Sequence, residues 1–303
     1  MYSYWGFGLN INSTIEFPEL LPAVFDQPDV HIFKGTVPMQ LEGDNVVHLV
    51  KVSMNSTAYL HSVPDVADYY VSNGNEICVE AKPGADEKSI RLFLLSNAMA
   101  AVLHQRDVIP LHAAAVYHED GIVLFCGHSG AGKSTTVTAL QKKGYTVFSD
   151  DVCVLQYDEN AELVALPSYP MIKLWADSFQ KIGLNAAQET DKLRPELAKY
   201  SRFYHNEFDV SARKIKQVFI LNGNAKGDNP EIEKLGSLAA FKLLQQNTYR
   251  HSQMNAMNKR AIHFSMISKL TSEVAVYKIS RPGNRNTIDE LIALIESNLP
   301  GYD

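Results

Sequence analysis

The chain has few cysteines, no excess of positive charge and no long apolar segment. Its 303 residues include 3 cysteines, and 28 Lys and Arg stand against 34 Asp and Glu, for a formal net charge of −6. Cys78, Cys126 and Cys153 lie in apolar runs without metal-ligand spacing, so we expect small core residues in a reducing compartment. The net charge predicts no general attraction to nucleic acid or to an anionic membrane.

The apolar stretches are too short for a membrane span. The longest candidate, residues 92–103, is shorter than a bilayer requires and contains Ser96 and Asn97. The N-terminus lacks the basic region followed by an apolar region that marks a secretory signal. With 46% hydrophobic and 20% charged residues, the composition is that of a globular protein, and we expect a cytoplasmic location without a membrane partner.

A glycine-rich octapeptide is the most informative feature that the chain does contain. Residues 127–134 read Gly-His-Ser-Gly-Ala-Gly-Lys-Ser, which is the GxxxxGKS pattern of a nucleotide phosphate loop (P-loop). An apolar run at residues 121–126 predicts a strand before the loop, and residues 134–143 predict a helix that ends at Gly144. This context favours an ATP site over a chance match.

Each part of the loop has a chemical role in such a site. The glycines let backbone amides turn toward phosphate oxygens, Lys133 contacts the β and γ phosphates, and Ser134 holds Mg²⁺. The start of the helix adds the positive end of its dipole. The predicted nucleotide-binding residues are Gly127, His128, Ser129, Gly130, Ala131, Gly132, Lys133, Ser134 and Thr135.

An acidic pair follows the loop at short distance. Residues 145–149 predict a strand that returns the chain by about 16 Å, after a helix of about 15 Å has led it away. Asp150 and Asp151 would then lie beside the loop, at the carboxyl edge of the sheet. On an extended backbone two adjacent carboxylates point to opposite sides, which indicates two roles: Asp150 as a metal ligand with Ser134, and Asp151 as the base. The reverse order stays open, as does a simple Asp-Asp turn.

Three stretches together resemble the catalytic core of HPr kinase/phosphorylase. They are Pro110-Leu-His-Ala-Ala-Ala-Val116, residues 121–134, and Lys143-Gly-Tyr-Thr-Val-Phe-Ser-Asp-Asp-Val152. The resemblance implies an α/β P-loop kinase core of the type shared with ATP-dependent phosphoenolpyruvate carboxykinase. It also implies ATP and Mg²⁺ as ligands, a serine of a protein as acceptor, and a homo-oligomer, because the HPr enzymes assemble into rings. The catalytic residues that it implies are His112, Lys133, Asp150 and Asp151.

The layout of the whole chain is similar to the HPr-kinase-like proteins encoded beside lasso-peptide genes. Some of these phosphorylate the C-terminal serine of a precursor peptide. The stretches that carry this similarity include residues 1–8, Tyr169-Pro-Met-Ile-Lys-Leu-Trp175, Asn247-Thr-Tyr-Arg250 and Val276-Tyr-Lys-Ile-Ser-Arg-Pro282. A precursor peptide with an acceptor serine is therefore the implied partner, and Arg250, Arg281 and Lys173 are the implied substrate-binding candidates. The downstream glycine-rich signature of the true HPr enzymes is not found, so HPr itself and phosphorolysis are not implied.

Two other functions remain open at this point. A kinase for a small molecule such as free serine would have the same phosphate site and a tighter acceptor pocket. A noncatalytic regulator would bind the nucleotide and dock a peptide without transferring phosphate.

Turn signals divide the chain into three predicted parts. Residues 1–84 predict a small β-rich N-terminal domain with a strand at Val46–Val52 and a hairpin turn at Asn73-Gly74. Residues 85–106 predict a connecting helix, and residues 107–303 the P-loop catalytic domain. Within that domain, residues 181–216 hold eight Lys and Arg against five acids, which fits either a mobile loop over phosphates or a solvated face. Thr287-Ile-Asp-Glu290 predicts a capping box at the last helix.

Overall fold

The computed structural model describes residues 1–185, 191–194, 197–225 and 227–301, and it shows a mixed α/β protein with several sheets. The chain forms two compact units. The first contains Met1–Pro110 and Tyr249–Phe264, and the second contains Leu111–Thr248 and Ser265–Asp303. The predicted connecting helix at residues 85–106 thus belongs to the first unit, which also takes in a segment from late in the chain.

Nine strands in the described part of the first unit form one sheet. The strands are β1 (Tyr2–Gly6), β2 (Leu9–Ser13), β3 (Leu21–Pro22), β4 (Val30–Lys34), β5 (Val47–Leu49), β6 (Val52–Met54), β7 (Ala58–Val63), β8 (Ala67–Ser72) and β9 (Glu76–Ala81). Their order in the sheet is β3-β1-β2-β4-β9-β8-β7-β6-β5. The turn between β8 and β9 has φ of 51° at Asn73 and 68° at Gly74, which confirms the predicted hairpin turn.

The predicted strand at Val46–Val52 is wrong, because the structure has a hairpin there. Strands β5 and β6 pair antiparallel around a turn at Val50 and Lys51. Lys51 has a φ of 63°, a left-handed conformation that no strand can continue through. The apolar pattern did not reveal this break, since no glycine or proline marks it.

The helices are distributed along the whole chain. They are α1 (Glu87–Phe93), α2 (Met99–Gln105), α3 (Lys133–Lys142), α4 (Ala176–Lys181), α5 (Ser237–Gln246), α6 (His251–Ala256), α7 (Arg260–Glu273) and α8 (Ile288–Glu296). A π-helical segment, Leu94–Ala98, joins α1 to α2. No helix in the part of the chain that the structure describes combines the length and the apolar character that a bilayer crossing needs.

The larger sheet of the second unit positions the glycine-rich loop. The chain enters this unit within β10 (Ile109–Leu111) and continues with β11 (Ala113–His118), β12 (Gly121–Cys126), β13 (Val147–Ser149), β14 (Cys153–Tyr157) and β15 (Leu163–Pro167). Later strands are β19 (Arg213–Ala225), β20 (Glu231–Lys234) and β21 (Ala275–Pro282). The order is β14-β15-β19-β12-β11-β13, and β21 pairs with β19 and β20. Strand β12 confirms the strand predicted before the loop from the apolar run at residues 121–126.

Strand β12 is buried along its whole length between neighbouring strands. It runs parallel to β19, and the ring of Phe125 stacks on that of Phe219 with centroids 5.7 Å apart. Val137 and Leu140 of α3 pack into the same core cluster. Core packing therefore fixes both the strand before the loop and the helix after it.

A second, three-stranded sheet covers part of the polar region predicted at residues 181–216. It consists of β16 (Met171–Trp175), β17 (Lys192–Arg194) and β18 (Leu197–Phe203) in the order β16-β18-β17. Part of this region therefore forms strands and is not a plain loop, and residues 186–190 and 195–196 lie outside the described residues.

Two local expectations have different outcomes. The three cysteines are buried and free, which confirms them as core residues. Thr287 is the N-cap of α8, but its hydroxyl makes no capping bond. Instead, the side-chain oxygen of Asn286 accepts a hydrogen bond from the Ile288 amide at 3.2 Å. The predicted capping box is therefore wrong, because the Thr287 hydroxyl accepts no amide of the first turn and Asn286 accepts one of them instead.

Candidate nucleotide site

Two positions of the loop at residues 127–132 require glycine. Gly127 and Gly132 have φ of 146° and 100°. A Cβ atom on Gly127 would lie 2.6 Å from the carbonyl oxygen of Leu221, a backbone atom. At Gly132 the left-handed φ is the obstacle, because the nearest atom, Nη2 of Arg281, ends a flexible side chain. Helix α3 begins directly after Gly132, so the amides of its first turn, which have no acceptor within the helix, lie next to the loop. This arrangement suits an anion such as phosphate.

Lys133 is held inside the loop by three hydrogen bonds. Its ammonium donates to the carbonyl oxygens of Gly127 at 2.6 Å and His128 at 3.2 Å, and to Nε2 of His112 at 2.9 Å. Burial lowers its pKa, while the charges of Asp151 and Asp150 oppose that shift. A phosphate oxygen in the loop would replace one of these three acceptors, because an ammonium has three donors.

His112 connects Lys133 to the acidic pair as a neutral imidazole. Since Lys133 donates to Nε2, the ring proton is assigned to Nδ1, which donates to the backbone carbonyl of Asp151 at 2.9 Å. Burial lowers the pKa of His112 to about 4, against the raising effect of the nearby Asp151 carboxylate. The ring therefore carries no charge near neutral pH.

Asp150 lies against the first turn of α3. It is 1% exposed, and its carboxylate accepts the Ser134 hydroxyl at 2.7 Å and the Lys173 amide at 2.9 Å. Burial, and then the charge of Asp151, raises its pKa. A serine hydroxyl beside a carboxylate provides hard oxygen ligands of the kind that Mg²⁺ prefers.

These residues fit Mg²⁺ only together with a nucleotide. In the described ranges, no three His, Cys, Asp or Glu side chains are grouped to hold a metal ion. Mg²⁺ at nucleotide sites is usually held by one or two protein groups, with phosphate oxygens and water completing its shell. Ser134 and Asp150 match that pattern.

Asp151 faces the cavity beside the loop. Its carboxylate accepts the ammonium of Lys173 at 2.7 Å and lies 3.6 Å from Nδ1 of His112. Burial alone would raise its pKa, but the charges of Lys173 and Lys199, together with the hydrogen bond from Lys173, hold it well below its ordinary value. The carboxylate is therefore charged at neutral pH.

The acidic pair does not lie on an extended backbone as we expected. Strand β13 ends at Ser149, and Asp151 has a left-handed φ of 70°. Aspartate adopts this conformation more readily than most residues, but it is not an extended one. The opposite-sides geometry of a strand is therefore wrong here. Both carboxylates lie near the start of α3 and the cavity, and their different partners separate their roles.

A cavity of about 360 Å³ joins these groups. Its walls come from the loop and α3, from β16 and β18, and from α4 and α8. Five cationic side chains line it: Lys133, Lys173, Lys181, Lys199 and Arg281. Its carboxylates are Asp151 and Asp177, and Ile288 and Leu291 add apolar surface. A cavity with this lining can hold a polyanion that has an apolar or aromatic part.

The three predicted substrate residues lie in different places. Lys173 and Arg281 line the cavity. Arg281 donates from Nη2 to the carbonyl oxygen of Ala131 at 3.0 Å, while its buried Nε has no hydrogen-bond partner among the described residues. Arg250 belongs to the first unit, where its guanidinium lies 5.1 Å from the centre of the Tyr249 ring, and it is not one of the residues that line the cavity.

Two residues of the site escaped the sequence analysis. Asn247, at the end of α5, accepts the Gly127 amide on its side-chain oxygen at 2.7 Å, and its backbone carbonyl accepts the His112 amide at 2.7 Å. Lys199 lines the cavity, and its ammonium lies 5.6 Å from the centre of the Trp175 ring. Asn247 lies in the stretch Asn247–Arg250 that carries the resemblance, and Lys199 lies in the charged region at residues 181–216. No spacing rule identifies either residue as part of the site.

The comparisons with known proteins leave the family open. No family model matches the chain, and no curated protein matches its sequence. Among solved structures, the chain is similar to the Hpr(Ser) kinase/phosphatase from Coxiella burnetii, with 16% identity and a TM-score of 0.32. That match covers 62% of this chain and 91% of the other. A likeness this weak carries no conclusion about activity, so function has to be inferred from the site itself.

Proposed function

We propose that the chain is an ATP-dependent serine kinase with a P-loop core of the HPr kinase type. One observation carries the proposal: a glycine-rich loop ending in Lys133 and Ser134 lies in one cavity with a charged carboxylate, Asp151, while Asp150 is bonded to Ser134. Phosphate binding, metal binding and a proton acceptor are the parts that phosphoryl transfer needs, because this reaction depends mainly on positioning and charge neutralisation.

Nucleotide phosphates would bind to the loop amides, to the start of α3 and to Lys133. Ser134 and Asp150 would hold Mg²⁺, which when bound neutralises phosphate charge. Arg281 donates to the Ala131 carbonyl of the loop, and its partly buried guanidinium adds positive charge to the cavity wall.

Asp151 would act as the base toward the acceptor. The acceptor oxygen forms a bond to the γ phosphorus, the bond from that phosphorus to the β–γ bridging oxygen breaks, and ADP leaves with the electron pair. The hydroxyl proton passes to Asp151. A weak base is sufficient, because in a loose transition state little negative charge has developed on the attacking oxygen. Neutral His112 bonds both the Asp151 carbonyl oxygen and the Lys133 ammonium, and it therefore fixes their relative position.

The acceptor that we propose is a serine of a peptide or protein, in particular the C-terminal serine of a lasso-type precursor peptide. The layout similarity described above supports this choice, and so does the cationic surface at the cavity formed by Lys199 over Trp175. Trp175 is 37% exposed, so an extended chain can reach it. A free-serine kinase would not need this open surface.

A transfer assay tests the proposal directly. The protein is incubated with Mg²⁺, γ-labelled ATP and one of three acceptors: a peptide ending in serine, the same peptide with an internal serine, or free serine. Mass spectrometry then locates the label. We expect transfer to the terminal serine, whereas label on free serine alone would indicate the small-molecule kinase.

Asp151→Asn separates an enzyme from a regulator. We expect its transfer rate to fall at least ~100-fold, as for the loss of a general base, while affinity for Mg·ADP persists. Asp26→Asn, at an exposed position of the first unit, is the matched control. If the wild type binds nucleotide but transfers no more phosphate than Asp151→Asn, the chain is a noncatalytic nucleotide-binding regulator.

A further inference from the structure

Lys173 contacts both aspartates of the site through two different groups. Its main-chain amide donates to Oδ2 of Asp150 at 2.9 Å, and its ammonium donates to Oδ2 of Asp151 at 2.7 Å. One residue of β16 thus contacts both Asp150, the proposed metal ligand, and Asp151, the proposed base. The two contacts are chemically independent, because only the second needs the side chain.

Strand β16 holds Lys173 in a fixed orientation. Lys173 pairs with Ser201 of β18, and its neighbours Ile172 and Leu174 are buried in a core cluster. Since side chains alternate along a strand, Lys173 is directed to the other face, where it lines the cavity. Its main chain cannot shift without disturbing that core.

The ammonium of Lys173 is buried and is compensated by its surroundings. Lys173 is 4% exposed. The ammonium pairs with Asp151 and lies 5.5 Å from the centre of the Tyr169 ring, a cation–π distance. A buried charge needs such partners, so the ammonium is held in place and in turn holds the carboxylate.

Asp151 needs this support because its backbone is in an uncommon conformation. A φ of 70° has a cost for a residue other than glycine, and contacts of the residue offset that cost. His112 holds its carbonyl oxygen, and Lys173 holds its carboxylate. Without the ammonium, the carboxylate would lose its shortest contact and could turn away from the cavity.

We infer that Lys173 is a positioning residue that sets the direction of the Asp151 carboxylate and does not bind the nucleotide. This inference rests on the proposed kinase function. The positioning role differs from the substrate-binding role that the resemblance implies. It also predicts different effects of a substitution on the two acids. A side-chain substitution at position 173 removes the support of Asp151 but keeps the amide that supports Asp150.

The test uses Lys173→Met, which keeps the length and removes the charge, and Lys214→Met as a control on an exposed position of β19. We expect kcat of Lys173→Met to fall by about 100-fold, the scale of a misplaced catalytic group. The KM for ATP and the calorimetric Kd for Mg·ADP should stay within about threefold of the wild type, because Asp150 keeps its partners. A merely structural role would weaken binding as well.

Two further measurements link the effect to Asp151. Adding Lys173→Met to Asp151→Asn should cause no further loss of kcat, because both changes disable one unit. In Lys173→Ala, a small alkylammonium ion such as propylammonium should restore part of kcat with saturation, and it should not do so in the double variant with Asp151→Asn. Lys173→Ala also serves if Lys173→Met does not fold.

The outcomes separate this inference from the proposed function. An active wild type together with a fully active Lys173→Met overturns the positioning role alone. A raised KM for ATP or for the acceptor with unchanged kcat would make Lys173 a substrate-binding residue, and full additivity with Asp151→Asn would also overturn the role. If the wild type transfers phosphate to no acceptor hydroxyl, the kinase function fails and the inference fails with it.

Discussion

The hydroxyl of Ser134 donates a 2.7 Å hydrogen bond to Oδ1 of Asp150, which links the first turn of α3 to the end of β13. The two oxygens belong to segments 16 residues apart in the chain. Their contact brings the glycine-rich loop and the acidic pair into one site.

This contact leads to a prediction about Mg²⁺. In Asp150→Asn the side-chain oxygen can still accept the Ser134 bond, but the NH2 group then faces the Lys173 amide and the negative charge that attracts the ion is lost. Adding Mg²⁺ increases the ADP affinity of the wild type by some factor. We expect that factor to be at least ~10-fold smaller in Asp150→Asn, which is the scale of effect at a disturbed metal site. Calorimetry with and without EDTA measures this, since affinity for metal-free ADP should be unchanged. An unaltered Mg²⁺ response would remove Asp150 from the metal site.

The apolar part of the cavity leads to a prediction about the nucleoside. Ile288 and Leu291 line the cavity, so we expect the sugar or base to pack there. Ile288→Ala should weaken ADP binding about tenfold, which corresponds to the loss of about two buried methyl or methylene groups, and leave pyrophosphate binding unchanged. Leu238→Ala, at a position 71% exposed, is the control. Equal loss for both ligands would place the nucleoside elsewhere.

Asn247 leads to a prediction about stability. Asn247→Ala leaves the buried amide of Gly127 without its acceptor, which costs about 1–3 kcal/mol. We expect a loss of that size in the free energy of unfolding in urea, together with weaker ADP binding because the loop relaxes. The neighbouring Gln246→Ala is the control, since Gln246 is exposed on the same helix. If Asn247→Ala resembles this control, the bond does not support the loop.

Buried His104 leads to a prediction about pH. Burial lowers its pKa from 6.5 to about 4, and the charges of His263, His251 and Lys259 act in the same direction against the hydrogen bond to the Tyr249 carbonyl. Between pH 6.5 and pH 4 the unfolded chain therefore binds a proton at His104 more readily than the folded chain does. The contribution of neutral His104 to folding stability is complete above pH 6.5 and is lost as the pH falls toward 4.

His104→Gln should reduce that pH dependence, because glutamine can still donate to the Tyr249 carbonyl but does not titrate. The expected reduction in slope is at most about 1.4 kcal/mol per pH unit. Urea unfolding measured from pH 7 to pH 4.5 provides the comparison, with His31→Gln at an exposed position as the control. An unchanged slope would mean that His104 does not contribute.

Local patterns in the sequence predicted the central elements well. The strand at residues 121–126 is confirmed, and the helix predicted at residues 134–143 occurs at Lys133–Lys142. The return strand is shorter than expected and begins at Val147. These elements were predictable because apolar periodicity and glycine punctuation act over a few residues.

Other features could not be predicted because they depend on contacts between distant residues. Asn247 meets Gly127 across 120 residues, and Lys173 meets Asp151 across 22. Neither a buried asparagine nor a lysine on a strand has a spacing rule that identifies its partner. Arg250 was chosen by resemblance, and the structure places it in the first unit.

The sequence alone determined that a GxxxxGKS loop follows a buried strand, precedes a helix and is followed closely by two aspartates, since all of this depends on neighbours in the chain. Only the tertiary structure decided how the two acids differ. Asp150 is bonded to Ser134, and Asp151 turns through a left-handed backbone to meet Lys173. The reason is physical: the partner, the burial and the charge of a carboxylate are set by side chains that packing brings together from distant strands.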